Sequence, residues 1–142
     1  VADTGDVDAA MLAAVKTDTV LMALCPAGVF YSVAPQGVER FVIVDRLAHV
    51  DDRELFGGTN SETFVYLVKA VLPGSAATVA RAAAARIRAR LDGGVLELVD
   101  YVLMRPVDEV ESVRIVEVDD QNLDRRVQHW GGHYEVTVQR LR

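Results

Sequence analysis

One segment constrains the fold more than any other. Residues Ser75–Leu91 lie between two sets of structure breakers, Pro73-Gly74 before and Asp92-Gly93-Gly94 after. Proline lacks an amide donor and glycine enters backbone conformations that other residues avoid, so both mark ends of regular structure. Between them Val79, Ala83, Ile87 and Leu91 recur at i, i+4 spacing, and Ala76, Ala80 and Ala84 widen the stripe with small side chains. This pattern predicts one amphipathic helix, capped by Ser75 and ending near Asp92. A narrow apolar stripe on a single central helix needs a broad partner, and the alanines let the helix sit close to a sheet. Arg81 and Arg88, seven residues apart, fall on a common solvated face.

The flanking sequence supplies that sheet. Phe41–Val44 is a continuous apolar run of strand length, and Thr63–Leu72 is a longer strand stopped by Pro73. Gly28–Val33 is short and closed by the turn Pro35-Gln36-Gly37. Asp100–Arg105, Val113–Val118 and His133–Arg140 complete the set. In His133–Arg140, Tyr134, Val136 and Val138 alternate with Glu135, Thr137 and Gln139, as in a half-buried antiparallel strand. Ahead of the sheet, residues 1–5 read as a loose arm. Asp6 is placed to cap a helix over Val7–Lys16, and Asp18 to cap a short one over Thr19–Leu24 that ends at Pro26 and Gly28. The order predicts a single α+β domain over residues 1–142, mainly an antiparallel sheet flanked by an N-terminal helix and a central Ala/Arg-rich helix. A chain of 142 residues, about half of them apolar, suits one domain with a real core. The one long interruption is the polar connection Arg46–Ser61, and long connections in compact domains tend to carry function.

Chemistry is harder to find. The formal charge of −6 argues against a protein that coats duplex DNA, which needs clustered Lys and Arg, yet suits a surface past which DNA can slide. Cys25 is the single cysteine; it cannot form an internal disulfide and reads as a small buried hydrophobe. No run of apolar residues reaches the length of a membrane span, and the acidic N-terminus is unlike a secretory signal, so the chain reads as cytoplasmic at synthesis. Nucleophile elbows, phosphate loops and dinucleotide fingerprints are absent. His129 and His133 have a spacing that could share a metal on a helix, but Trp130-Gly131-Gly132 between them breaks any helix and no further ligands stand nearby. They read as turn and edge-strand histidines. The acidic clusters Asp51-Asp52-Glu54 and Glu117-Asp119-Asp120 read as solvated loop charge. No metal, cofactor or catalytic residue is expected.

Several of these features, in this order, resemble the tail-terminator (tail-to-head joining) family of long-tailed phages and related gene-transfer particles. An N-terminal helix and the turn Thr17–Leu24 lead into Val29-Phe30-Tyr31-Ser32-Val33-Ala34-Pro35-Gln36-Gly37, which is similar to the family's first strand and Ala-Pro-Gln-Gly turn. The strands Phe41–Val44 and Phe64–Val71 and the Ala-rich helix ending Arg90-Leu91-Asp92 follow in order. Val127-Gln128-His129-Trp130-Gly131-Gly132-His133-Tyr134-Glu135-Val136 is similar to the family's Gln-His-x-Gly-Gly-x-Tyr-Glu ending. The family often has a Pro-Tyr pair leading into the second strand, where this chain has Glu39-Arg40-Phe41.

The resemblance implies a structural virion protein without enzymatic activity, assembled in the host cytoplasm. It implies a homohexameric ring at the head-proximal end of the tail tube. That ring would stop tube polymerisation, contact the tube protein and the head-tail connector or stopper protein, and let DNA pass without specific binding. The candidate contact residues are Asp51, Asp52, Arg53, Glu54, Leu55 and Phe56 in the long connection, the apolar pair serving as an anchor in a partner's pocket. Asp51, Asp52 and Glu54 are candidates to face the lumen. A head-completion or neck protein is the structural alternative, and a small α+β ligand-binding or enzymatic domain the alternative of another class.

Overall fold

A computed structural model describes residues 3–52, 61–119 and 122–141, without the side chains of Asp52, Asp119 and residues 122–125. Helices α1 (Gly5–Lys16) and α2 (Thr19–Leu24) open the chain, followed by strands β1 (Gly28–Tyr31), β2 (Phe41–Asp52) and β3 (Ser61–Pro73). A 3-10 turn (Gly74–Ala76) leads into α3 (Ala77–Leu91), and β4 (Tyr101–Leu103), β5 (Asp108–Asp119) and β6 (Asn122–Arg140) complete the chain. The strands form one sheet in the order β1-β2-β3-β6-β4, with β5 also on β6. β1 and β2 are parallel; every other pair is antiparallel. β4 takes the Val138–Arg140 stretch of β6 and β5 the Asn122–Glu135 stretch, so they follow one another along the edge of β6 that β3 leaves open.

Alternation decides which face is buried. Glu62, Phe64, Tyr66, Val68, Ala70 and Leu72 of β3 are buried, as are Tyr134, Val136 and Val138 of β6 and Val42 and Val44 of β2. The helices cover this face through Val7, Met11, Val15, Leu21, Ala80, Ala83, Ile87 and Leu91. A fully buried Ile, Leu or Phe contributes about 1.5–3 kcal/mol by leaving water, so this layer contact dominates the stability of the fold. The α+β architecture thus matches the expected one.

Several local expectations need correction. Ser75 does not cap α3: it sits inside the 3-10 turn, and Ala76 holds the capping position without a side-chain hydrogen bond. Asp6 does not cap α1 either. It lies in the first helical turn, where Thr4 holds the capping position, and its Oδ2 accepts hydrogen bonds from Val99 N and Asp100 N, both 2.9 Å. The described part of the expected loose arm is tied down as well, since Asp3 N donates to Asp100 Oδ2 at 3.1 Å. Asp18 does cap α2, accepting from Leu21 N at 3.0 Å.

The largest correction concerns the expected connection Arg46–Ser61. β2 continues to Asp52 and pairs with β3 back to Ser61, with a register shift between Arg46 and Ala48. Polar composition suggested a loop, but cross-strand pairing overrides propensity wherever one face finds a partner. Nor does Trp130-Gly131-Gly132 interrupt the C-terminal region. It lies inside a continuous 19-residue strand, so His129 and His133 are inner-strand residues and not turn or edge residues. Gly131 is required there: a Cβ would lie 1.9 Å from Val68 O and 2.5 Å from Lys69 Cα. Finally, the segment between β1 and β2 is bracketed by two non-glycine residues at positive φ, Ser32 (65°) and Arg40 (58°). Arg40 adopts this unfavourable conformation directly before β2.

Candidate functional site

The two hairpins end at opposite ends of the sheet, because β3 and β6 run antiparallel. Ser61, at the β2–β3 end, is opposite Gln139, whereas Pro73 is opposite Val127, toward the β5–β6 end. Of the candidate contact residues, Asp51 and Asp52 belong to the first of these ends. Asp51 lies on β2 opposite Glu62, and Asp52 opposite Ser61. Arg53, Glu54, Leu55 and Phe56 lie outside the described residues.

Beneath this end sits a charged cluster. Glu62 is fully buried, yet its two oxygens are matched by donors. Arg140 Nε donates to Oε2 at 2.7 Å and Arg140 NH2 to Oε1 at 2.9 Å, a fork that fits a carboxylate. His49 Nε2 lies 2.8 Å from Oε1. Asp51 Oδ2 lies 3.8 Å from Arg140 NH2, which links the surface carboxylate to the buried one. His49 stacks on Phe64 with centroids 4.3 Å apart. Burial alone would raise the Glu62 carboxyl, but hydrogen bonds from Arg140 and His49 outweigh it and hold the group below the ordinary carboxylate value. The arrangement pins the base of the β2–β3 hairpin to the last strand of the chain.

A second cluster joins α1 to the sheet. Asp8 accepts from Tyr66 Oη at 2.5 Å and from Tyr31 Oη at 3.2 Å, with Arg46 Nε 3.8 Å away. A third joins α2 to α3, where Arg86 Nε lies 3.0 and 2.9 Å from the two Asp18 oxygens. All three clusters use charge to fix one element against another. The carboxylates of Glu62, Asp8 and Asp18 are each matched by donors from another element, so their chemistry is positional.

The face of the sheet away from the helices carries ion pairs across strands, His129 with Glu117 at 2.8 Å and His133 with Glu111 at 3.3 Å. The Ser32–Val38 segment overlies part of it, leaving a groove of about 300 Å³ beside Ile43, Leu67 and Val71. Cys25 is buried, and burial pushes its thiol up to about 11, away from reactivity. Among the described residues no group of three or more His, Cys, Asp or Glu is arranged to hold a metal ion, and no helix is long and apolar enough to cross a membrane.

The Glu62–Arg140 pair escaped sequence reading, although a signal was present. Glu62 is in phase with Phe64 and Tyr66, and Arg140 with Val138 and Val136. Extending each alternation by one step places opposite charges on the buried face.

Neither a protein-family model nor a curated relative matches this sequence. The fold does have counterparts. Sixteen chains of solved structures match it, among them a chain in the virion of a native gene transfer agent particle. That chain superposes with a TM-score of 0.74 at 20% identity, over 95% of this chain and 96% of its own length. The likeness therefore covers the whole domain and establishes the fold.

Proposed function

We propose that this protein is a structural component of a phage or gene-transfer virion, a tail terminator that forms a homohexameric ring on the head-proximal end of the tail tube. The observation that carries this reading is the fold likeness to a chain of a gene transfer agent virion, which extends over 95% of this chain and 96% of that one. The ordered sequence resemblance from Val29 to Val136 points the same way. The architecture is compatible with capping: hairpin ends emerge at opposite ends of one rigid sheet, so one end can meet the last tube ring while the other meets the connector. Rings are built from heterologous contacts, in which one patch meets a different patch on the neighbour. The β2–β3 end, with Asp51, Asp52 and the sequence through Phe56, is the proposed contact element. Asp51, Asp52 and Glu54 are proposed to keep the lumen acidic, so that DNA passes without adhering.

Inactivating the gene in the producing particle and imaging the products tests this. Overlong or polydisperse tails unattached to heads support a terminator. Tails of normal length that fail to join heads would move the assignment to a neck protein. Normal, fully joined particles would overturn the structural reading.

A further inference from the structure

Building on the ring reading, we propose that the groove between α3 and β5 is the socket for an acidic, extended segment of a second copy of this chain. The groove measures about 810 Å³ and lies open because the residues along it are small. α3 contributes Ala84, Ala85 and Ala89, and β6 contributes Gly131, which has no side chain. Three guanidinium groups line it. Arg81 and Arg88 stand on one face of α3, about 10 Å apart along the axis at 1.5 Å per residue. Arg114 faces them from β5, its guanidinium 4.7 Å from the centroid of the Trp130 ring on the groove floor. Arg88 is partly engaged, its Nε 3.1 Å from Glu109 Oε2, while its side chain remains 68% exposed.

Charge selects the occupant. This basic groove belongs to a chain of net charge −6, so the complementary surface is most abundant on the chain itself. A positive patch on one copy and a negative patch on the next form a heterologous contact, the kind that closes a ring. An extended segment places same-face side chains about 6–7 Å apart, so two or three carboxylates span the Arg81–Arg88 row. Asp92 and Glu109 also line the groove and disfavour a nucleic acid, whose every residue carries a phosphate. A peptide can aim its carboxylates at the arginines and pass uncharged backbone over the acids. The neighbouring backbone adds affinity: among the described residues β5 pairs with β6 alone, so its far side offers a strand edge, and Val116 and Val118 on this strand are 40% and 44% exposed.

The experiment compares wild type with Arg81→Glu/Arg114→Glu and with Ala85→Trp, which fills the groove without changing charge. All three are measured by light scattering at low and high salt, alone and on purified tail tubes, with circular dichroism to verify folding. Wild type is expected to self-associate, less so at high salt, and both variants to associate at least about tenfold more weakly while folded. If wild type assembles and the folded variants assemble equally well, the socket is refuted and the ring reading stands. If wild type stays monomeric both free and on tubes, the ring reading fails and the socket with it. A labelled oligonucleotide provides the remaining arm: binding that Arg81→Glu/Arg114→Glu abolishes while association persists would replace the second copy with nucleic acid.

Discussion

Substituting Gly131 by alanine offers the sharpest test of the sheet geometry. The added Cβ would stand 1.9 Å from Val68 O and 2.5 Å from Lys69 Cα, both backbone atoms that no rotamer change can move. Since real Cβ contacts essentially never fall below 3.0 Å, the β3 and β6 backbones must separate by about 1 Å at this point. Overpacking of this kind costs about 1–3 kcal/mol through strain. A 1 Å separation at the Lys69–Gly131 pair also weakens about two ladder hydrogen bonds, each contributing about 1 kcal/mol. The expected loss is about 3–5 kcal/mol, a large part of the 5–15 kcal/mol typical of a domain. For a chain of this size it lowers the melting temperature by roughly 10–20 °C. Urea denaturation followed by tryptophan fluorescence is the assay, since Trp130 adjoins the site. Gly132 is the internal control. Its Cβ would meet Glu111 O at 2.9 Å and otherwise the mobile end of the Glu109 side chain, so Gly132→Ala should cost clearly less. A Gly131→Ala protein as stable as wild type, or more stable than Gly132→Ala, would refute the argument.

Three further outcomes follow from the charged clusters and the buried thiol. Glu62 and Asp18 both titrate below their ordinary values; in each, burial acts upward and is outweighed by hydrogen bonds, chiefly from Arg140 and His49 for Glu62 and from Arg86 and Leu21 N for Asp18. A depressed carboxyl contributes stability above its unfolded value that is lost as pH falls through its folded value. Thermal stability should therefore hold from neutral pH to near 4.5, the unperturbed value for Glu62, and fall below it. Glu62→Gln should lower stability at neutral pH and make the acid-side fall shallower; an unchanged acid profile would remove Glu62 from the account. Tyr66→Phe deletes the donor to Asp8, with an expected cost of about 1–3 kcal/mol in equilibrium unfolding because the acceptor is a charged group. A neutral effect would mean that Tyr31 and Arg46 satisfy Asp8 alone. The Cys25 thiol, buried and shifted to about 11, should resist a disulfide reagent at mildly alkaline pH until denaturant is added. Rapid labelling of the native protein would contradict that burial.

The sequence by itself determined the class of fold and most of its elements, because local signals and final structure agree there. The alternation at Tyr134, Val136 and Val138 and the stripe through Ala83, Ile87 and Leu91 are each readable without knowing the partner, since burial on one face imposes a period. The Asp18 cap was equally legible, as it depends on residues three apart. What the sequence could not determine depends on distant partners. Arg46–Asp52 is polar and reads as a loop, and becomes strand only because Ser61–Tyr66 lies beside it. Glu62 is an unremarkable acid until Arg140, 78 positions later, meets it on the buried face. Gly131 resembles a breaker in the chain, whereas in the sheet it is the one residue small enough for the approach of β3. The groove of Arg81, Arg88 and Arg114 likewise exists only once α3 is laid against the β5–β6 pair. Periodicity is a property of neighbours along the chain; charge pairing, close approach and grooves are properties of neighbours in space, and only the tertiary structure decides those.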